Sequence, residues 1–179
     1  MITDLTEIVI ETDRLKLVPT SLKYSSEIFK EFTQEITIYM FPKPPKEIKE
    51  TEDFINSSIQ KMANGEELQV VILNKKTGEF LGHGGVTKLK TDTPELGIWI
   101  KQSAHGNKFG WEAVKALKEW AESNLQYKYI IYPVDKRNIA SRKIAESLGG
   151  IVEDEYQKKN MSGNILDEVE YRIYPQKSS

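Results

Sequence analysis

Residues 95–134 constrain the fold more than any other stretch. Residues 95–101, Glu-Leu-Gly-Ile-Trp-Ile-Lys, read as a strand. A helical repeat follows, with Val114, Leu117, Ala121 and Leu125 on one face and Trp120 beside them. Glu112, Lys115, Glu119 and Glu122 fall largely outside that face, and Lys115 and Glu119 form an i,i+4 pair. Residues 127–134 are mostly aromatic and β-branched and read as a second strand. Strand, helix and strand in this order make a βαβ crossover, which is right-handed and sets its two strands parallel.

The neighbouring segments add antiparallel pairing. Strands at 68–73, 79–88 and 95–101 are joined by short turns, the first of them at Lys76-Thr77-Gly78, and predict a meander. Gly82, Gly84 and Gly85 weaken the middle strand. Residues 7–18 alternate and predict one strand, or two short ones broken near Asp13. Ser21 is placed to cap a helix with Leu22, Ile28, Phe29 and Phe32 as its apolar positions. Phe41-Pro-Lys-Pro-Pro45 is a loop, since neither a helix interior nor a central strand accepts it. A helix with Ile48, Ile55, Ile59 and Met62 stops at Asn64-Gly65. Another spans 138–148, and residues 151–158 and 166–174 bracket a turn as a terminal hairpin. The class is α/β in sequence order with α+β features, built on a mixed, mostly antiparallel sheet of about seven strands with helices on both faces. No linker or repeat divides the chain, so one domain over residues 1–179 is expected.

Composition removes several chemistries. The chain has no Cys and two His, His83 and His105, which excludes thiolate sites and a three-His zinc site, so no metal is expected. A formal charge of −2 argues against general nucleic-acid binding. No apolar run is long enough for a membrane span, and no basic-then-apolar start marks a signal peptide, so a cytoplasmic address is expected by default.

Two strand ends carry the candidate chemistry. The first strand of the crossover runs into His105-Gly106-Asn107-Lys108-Phe109-Gly110 and then a helix. A helix N-terminus offers unpaired N–H groups to an anion, and glycine lets a phosphate come close. The spacing fits neither a P-loop nor a dinucleotide fingerprint, and an ordinary strand-to-helix turn explains it equally well. The second strand runs into Asp135-Lys136-Arg137-Asn138-Ile139-Ala140-Ser141. There Asn138 could meet an amide-bearing ligand or simply cap the helix.

Together these segments resemble the GCN5-related N-acetyltransferases (GNAT), in particular the group of ribosomal-protein N-terminal acetyltransferases (RimJ/RimL-like). Glu11-Thr12-Asp13-Arg14-Leu15 resembles that group's opening, and Gly78-Glu79-Phe80-Leu81-Gly82 and Glu95-Leu96-Gly97-Ile98-Trp99-Ile100 resemble its third and fourth strands. Residues 105–110 fall on its Gln/Arg-x-x-Gly-x-Gly/Ala motif, with His105 for Gln or Arg and Lys108 for Gly. Asn138-x-x-Ser141 and Glu146-Ser147-Leu148-Gly149 resemble its second signature, with Gly150 in place of the usual Phe. The likeness reaches Tyr171 and so spans almost the whole chain.

The resemblance implies an acyl-CoA acyltransferase fold whose parallel strands splay, and acetyl-CoA as cosubstrate. Ile98, Trp99 and Ile100 would hold the pantetheine arm by main-chain bonds. The N–H groups of Gly106, Asn107, Lys108, Phe109, Gly110 and Trp111 would take the pyrophosphate, and Asn138 would meet the pantetheine or thioester end. Lysine at 108 carries a backbone strain that glycine avoids. The implied reaction is direct acetyl transfer to a primary amine, whether a peptide α-amine or a small molecule. An α-amine, with a pKa of about 8, loses its proton more easily than a Lys amine at about 10.4. Glu95 is the first candidate for the base, with Glu79 and His83 behind it. Ala145 stands where many members carry a Tyr, so Ser141 is the expected partner of the leaving thiolate. The acceptor is expected between residues 33–45 and 160–165, with Tyr39, Phe41 and the prolines walling its entrance. A CoA-binding sensor without catalysis and a purely structural interaction module are the alternatives. Oligomeric state is not legible.

Overall fold

The computed structural model of the chain describes residues 3–176. Its strands are β1 (Ile10–Glu11), β2 (Leu15–Pro19), β3 (Leu68–Asn74), β4 (Phe80–Thr87), β5 (Glu95–Ile100), β6 (Ile130–Asp135), β7 (Ile151–Lys159) and β8 (Ile165–Ile173). They form one sheet in the order β1-β2-β3-β4-β5-β6-β8-β7. The helices are α1 (Ser25–Glu31), α2 (Gln34–Thr37), α3 (Ile48–Ala63), α4 (Phe109–Asn124) and α5 (Ile139–Ser147).

The sheet has eight strands rather than about seven, because the N-terminal segment breaks at Asp13 and its halves pair antiparallel. The first helix also differs from expectation. The side chain of Ser21 caps nothing; a 3-10 turn intervenes at Leu22–Tyr24, and α1 begins at Ser25. Leu22 remains 48% exposed, so the apolar face of α1 is shorter than the pattern suggests. The single turn of α2 was not expected; Thr33 Oγ1 caps it by accepting the Ile36 N–H at 3.4 Å.

Both faces of the sheet are covered. Leu17, Val70, Ile72, Val86 and Leu96 meet Val114, Leu117 and Ala121 of α4 on one side. Val71, Leu73 and Phe80 meet Ile28 of α1 and Ile55 of α3 on the other. Alternate residues of β3 thus point into opposite layers, which explains its unbroken apolar run.

The crossover takes the expected form, with β5 and β6 parallel. They pair at one register only, Glu95 with Ile131. Their outer neighbours hold them far better: β4 and β5 pair from Gly82↔Ile100 to Thr87↔Glu95, and β6 and β8 pair from Ile130↔Ile173 to Asp135↔Glu168. The two inner edges therefore part beyond Glu95.

Two glycines of β4 are required by close approach. A Cβ at Gly82 would collide with the carbonyl oxygen of Trp99, and one at Gly85 with that of Leu68. Gly82→Ala or Gly85→Ala is expected to cost about 1–3 kcal/mol of stability, since backbone must move to admit the methyl group. Chemical denaturation of the two variants checks this.

Candidate active site

The loop after β5 is built around two left-handed residues. Gly106 has φ +83° and Lys108 has φ +59°. Lys108 is the N-cap of α4, so the strain expected of lysine there is present. His105 Nε2 donates to the Ile100 carbonyl at 2.6 Å, and Asn107 Nδ2 donates to Ala104 O at 3.1 Å. These bonds fold the loop back onto the end of β5. The first backbone bond of the helix runs from Glu112 N to Lys108 O. Among the described residues, the N–H groups of residues 106–111 have no protein acceptor.

The Thr-Asp-Arg opening of the chain clamps this loop from behind. Arg14 Nε meets Glu112 Oε2 at 2.7 Å, and its Nη1 donates to Asn107 O at 3.0 Å. Its guanidinium lies 4.7 Å from the Phe109 ring centre. Thr12 Oγ1 donates to Glu112 Oε1 at 2.6 Å. Burial raises the Glu112 carboxyl, but the bonds from Thr12 and Arg14 outweigh it and leave it below the ordinary range. Sequence reasoning matched these opening residues to a family without finding their task.

At the end of β6, Asn138 caps α5, its Oδ1 accepting the Ser141 N–H at 3.2 Å. Ser141 Oγ shares a 2.7 Å hydrogen bond with the hydroxyl of Tyr132, a residue the sequence reading passed over. Burial pushes the Tyr132 hydroxyl up to about 12 despite that bond. Ala145 is fully buried in the core. Trp111 Nε1 donates to Ser147 Oγ at 3.1 Å and ties α4 to α5. A Cβ at Gly110 would stand 3.4 Å from Ile144 and 3.6 Å from Ile100, so the start of α4 lies close to both α5 and β5.

On the opposite face of the sheet lies a cavity of about 420 Å³. Glu95, Gly97 and Trp99 of β5 reach it, as do His83 of β4, Phe32, Phe54, the loop residues Met40 to Pro45 other than Phe41, and Met161 of the β7–β8 turn. Ile98 and Ile100 send their side chains the other way, into the α4 layer. Trp99 packs 5.0 Å from Phe32 and 5.9 Å from Phe80, between ring centres. The walls thus come from the two segments expected, but Tyr39 and Phe41 are not among them. Tyr39 lies under the Arg137 guanidinium at 5.1 Å and Phe41 under the Lys158 ammonium at 4.1 Å. Both pin the loop while its other residues face the cavity.

The three candidate bases are separated. Glu95 lines the cavity and is paired with Lys88 at 2.7 Å. His83 is buried in the cavity wall and shares a 2.6 Å bond with Thr20 Oγ1; burial pushes its imidazole down to about 4, so it is neutral. Glu79 pairs with Lys101 at 2.8 Å and does not reach the cavity.

Known proteins match this arrangement. The family model for the acetyltransferase (GNAT) domain covers residues 14–151. The chain belongs to the GNAT acetyltransferase family. A GNAT enzyme of this kind transfers the acetyl group of acetyl-CoA to an amine. The Bacillus subtilis (strain 168) protein named "Uncharacterized protein YkkB" is 24% identical over 142 residues, covering 77% of this chain and 82% of that one. The fold is similar to that of RimL, the ribosomal L7/L12 α-N-protein acetyltransferase in complex with coenzyme A, with TM-score 0.83, 15% identity, and 93% and 98% of the two chains covered. It is also similar to the Vibrio cholerae spermidine N-acetyltransferase with CoA and spermine, with TM-score 0.79, 17% identity, and 92% and 97% covered.

One further carboxylate of this GNAT domain stands out. Glu168, opposite Asp135 on β8, is only 7% exposed, and its Oε2 has no partner. Burial first, then the Asp135 charge, pushes it up to about 7; the nearby Glu95 charge adds to this and Lys158 opposes it. A lone Glu in a β-rich segment gave no sequence signal for this. Asp135 itself is tied by Arg137 through bonds of 2.8 and 2.7 Å. Between pH 4.5 and about 7 the folded protein keeps a proton on Glu168 that the unfolded chain has lost. Stability from this residue therefore falls as pH rises through that window. Glu168→Gln should remove the fall and stabilise the protein at pH 8 by up to about 3 kcal/mol. Urea titrations of both proteins at pH 5 and pH 8 check it.

Proposed function

We propose that the parted edges of β5 and β6 hold acetyl-CoA, and that a primary amine reaches its thioester from the cavity on the opposite face. One observation carries this reading: pairing stops after Glu95↔Ile131, and beyond the end of β5 the N–H groups of residues 106–111 have no protein acceptor among the described residues. The residues fit the cosubstrate. The amide row at 106–111 suits a pyrophosphate, with the α4 dipole behind it. The main chain of Ile98, Trp99 and Ile100 would pair with the pantetheine arm as an added strand pairs with a sheet edge. His105 shapes the loop through its bond to the Ile100 carbonyl. Asn138 keeps Nδ2 free of protein acceptors and would donate it to the arm.

Bound acetyl-CoA supplies an activated acyl carbonyl. Glu95, ion-paired with Lys88, takes a proton from the incoming ammonium. The freed nitrogen lone pair forms the bond to the acetyl carbon as the carbon–sulfur bond breaks. The electron pair leaves on sulfur, and the nitrogen's second proton passes to that thiolate, so that amide and thiol are the products. Ser141, with Tyr132 behind it, is placed to give that thiolate a hydrogen bond or a relayed proton. The acceptor is an amine of either kind named for the relatives, a protein N-terminus or a small molecule, and its class is argued below.

Thiol release from acetyl-CoA with an amine panel tests the reaction. Turnover with any amine sustains it, and thermal stabilisation by CoA without turnover would leave only a sensor. Glu95→Gln is expected to lower kcat about a hundredfold at pH 7 and to flatten the rise of rate with pH. An unchanged profile would remove Glu95 from the base role. Asn138→Ala should cost about 1 kcal/mol as a lost cap and also shrink the thermal shift given by CoA. A full CoA shift in the variant would leave Asn138 as a cap alone.

A further inference from the structure

We propose that the acceptor is a small primary monoamine on an apolar, aromatic or branched body, rather than a polyamine or a peptide. This rests on the acetyl-transfer reading of the same site and adds the acceptor's chemistry to it.

The cavity is walled mainly by hydrocarbon and rings: Phe32, Phe54 and Trp99, with Pro42, Pro44 and Pro45 along the loop. Its volume of about 420 Å³ suits a small molecule. The charges in it are few and mostly engaged. Glu50 accepts the backbone N–H groups of Lys46 and Glu47 and so serves the start of α3. Lys43 is a cation in the wall and repels a second ammonium. His83 is neutral. Glu95, on the strand that meets the thioester, is ion-paired with Lys88 at 2.7 Å. The two carboxylates of the wall thus already face lysines, Glu50 near Lys43 and Glu95 paired with Lys88, and a second ammonium on the ligand meets no unopposed charge. A desolvated ammonium without a counter-charge is strongly disfavoured, so a polyamine fits poorly.

A peptide fits poorly for a different reason. The β4–β5 floor spends its main-chain groups on its own ladder, from Gly82↔Ile100 to Thr87↔Glu95. An entering peptide backbone therefore gains no ladder of main-chain bonds from this floor. A hydrocarbon or aromatic body needs no such bonds and gains from leaving water.

Gly97 gives the test its handle. It lines the cavity, and a Cβ built on it meets no atom within 4 Å. A larger side chain there fills acceptor space without displacing the protein.

The experiment measures kcat/KM by thiol release for 2-phenylethylamine, 3-methylbutylamine, spermidine and a serine-initiated peptide. Calorimetry measures binding of the same four probes to the protein with and without CoA. The two apolar amines are expected to exceed spermidine and the peptide by about tenfold or more in both measurements. Gly97→Leu is expected to raise KM for 2-phenylethylamine about tenfold or more while the thermal shift given by CoA stays unchanged. A higher kcat/KM or tighter binding for spermidine or the peptide would overturn the proposal. So would a Gly97→Leu protein that handles 2-phenylethylamine as the parent does. If no amine releases thiol, acetyl transfer fails by itself, and the calorimetric ranking still decides which chemistry the cavity accepts.

Discussion

The site depends on a sheet that comes unpaired in its middle. Main-chain N–H and C=O groups inside a protein need partners, and a sheet normally supplies them on both edges of an inner strand. Here β5 and β6 each have a full ladder on the outer side and one rung between them. The gap is therefore held from outside and does not reflect weak strands. It gives an extended, amide-bearing chain such as pantetheine two facing edges to pair with, and pairing of that kind does not depend on side-chain identity. This accounts for folds that superpose well at 15% identity.

The loop that follows is fixed by contacts distant in sequence. Lysine at a left-handed position costs on the order of 1 kcal/mol, and Glu112 and Arg14 hold the turn in spite of it. Arg14 reaches the carbonyl of Asn107, so it pulls on an oxygen of the loop while neighbouring N–H groups face outward. The turn between β1 and β2 thus supports this loop although those strands lie at the far edge of the sheet.

Long periodic segments were legible in the sequence because side-chain burial wrote them. The helix at 109–124, the crossover and the glycine-bearing turn before it all follow from apolar spacing and backbone freedom. Short or three-dimensional features were not. The single turn of α2 has no period to detect. The break at Asp13 was one of two options, and pairing with β3 decides it. Tyr132 reads as an ordinary strand aromatic until α5 places Ser141 against its hydroxyl. Glu168 gives no signal at all, because its isolation depends on β6 and β7 lying on either side of it. Tyr39 and Phe41 lie on the loop that borders the cavity but not in the cavity's wall. Their rings serve two cations, Arg137 and Lys158, which no local pattern reveals.

Strand β5 brings these parts together because its pleat separates three tasks. Leu96, Ile98 and Ile100 anchor it to α4, Glu95, Gly97 and Trp99 face the cavity, and its main-chain edge looks toward β6. Period-two alternation puts the two side-chain sets on opposite faces with no bulge or kink. The main-chain edge toward β6 and the side-chain face toward the cavity thus belong to one strand. A one-residue slip against β4 would exchange the faces, sending Glu95 and Trp99 into the apolar α4 layer. Gly82 and Gly85 keep β4 close to the main chains on either side, since a Cβ would collide with Trp99 O of β5 at the first and with Leu68 O of β3 at the second.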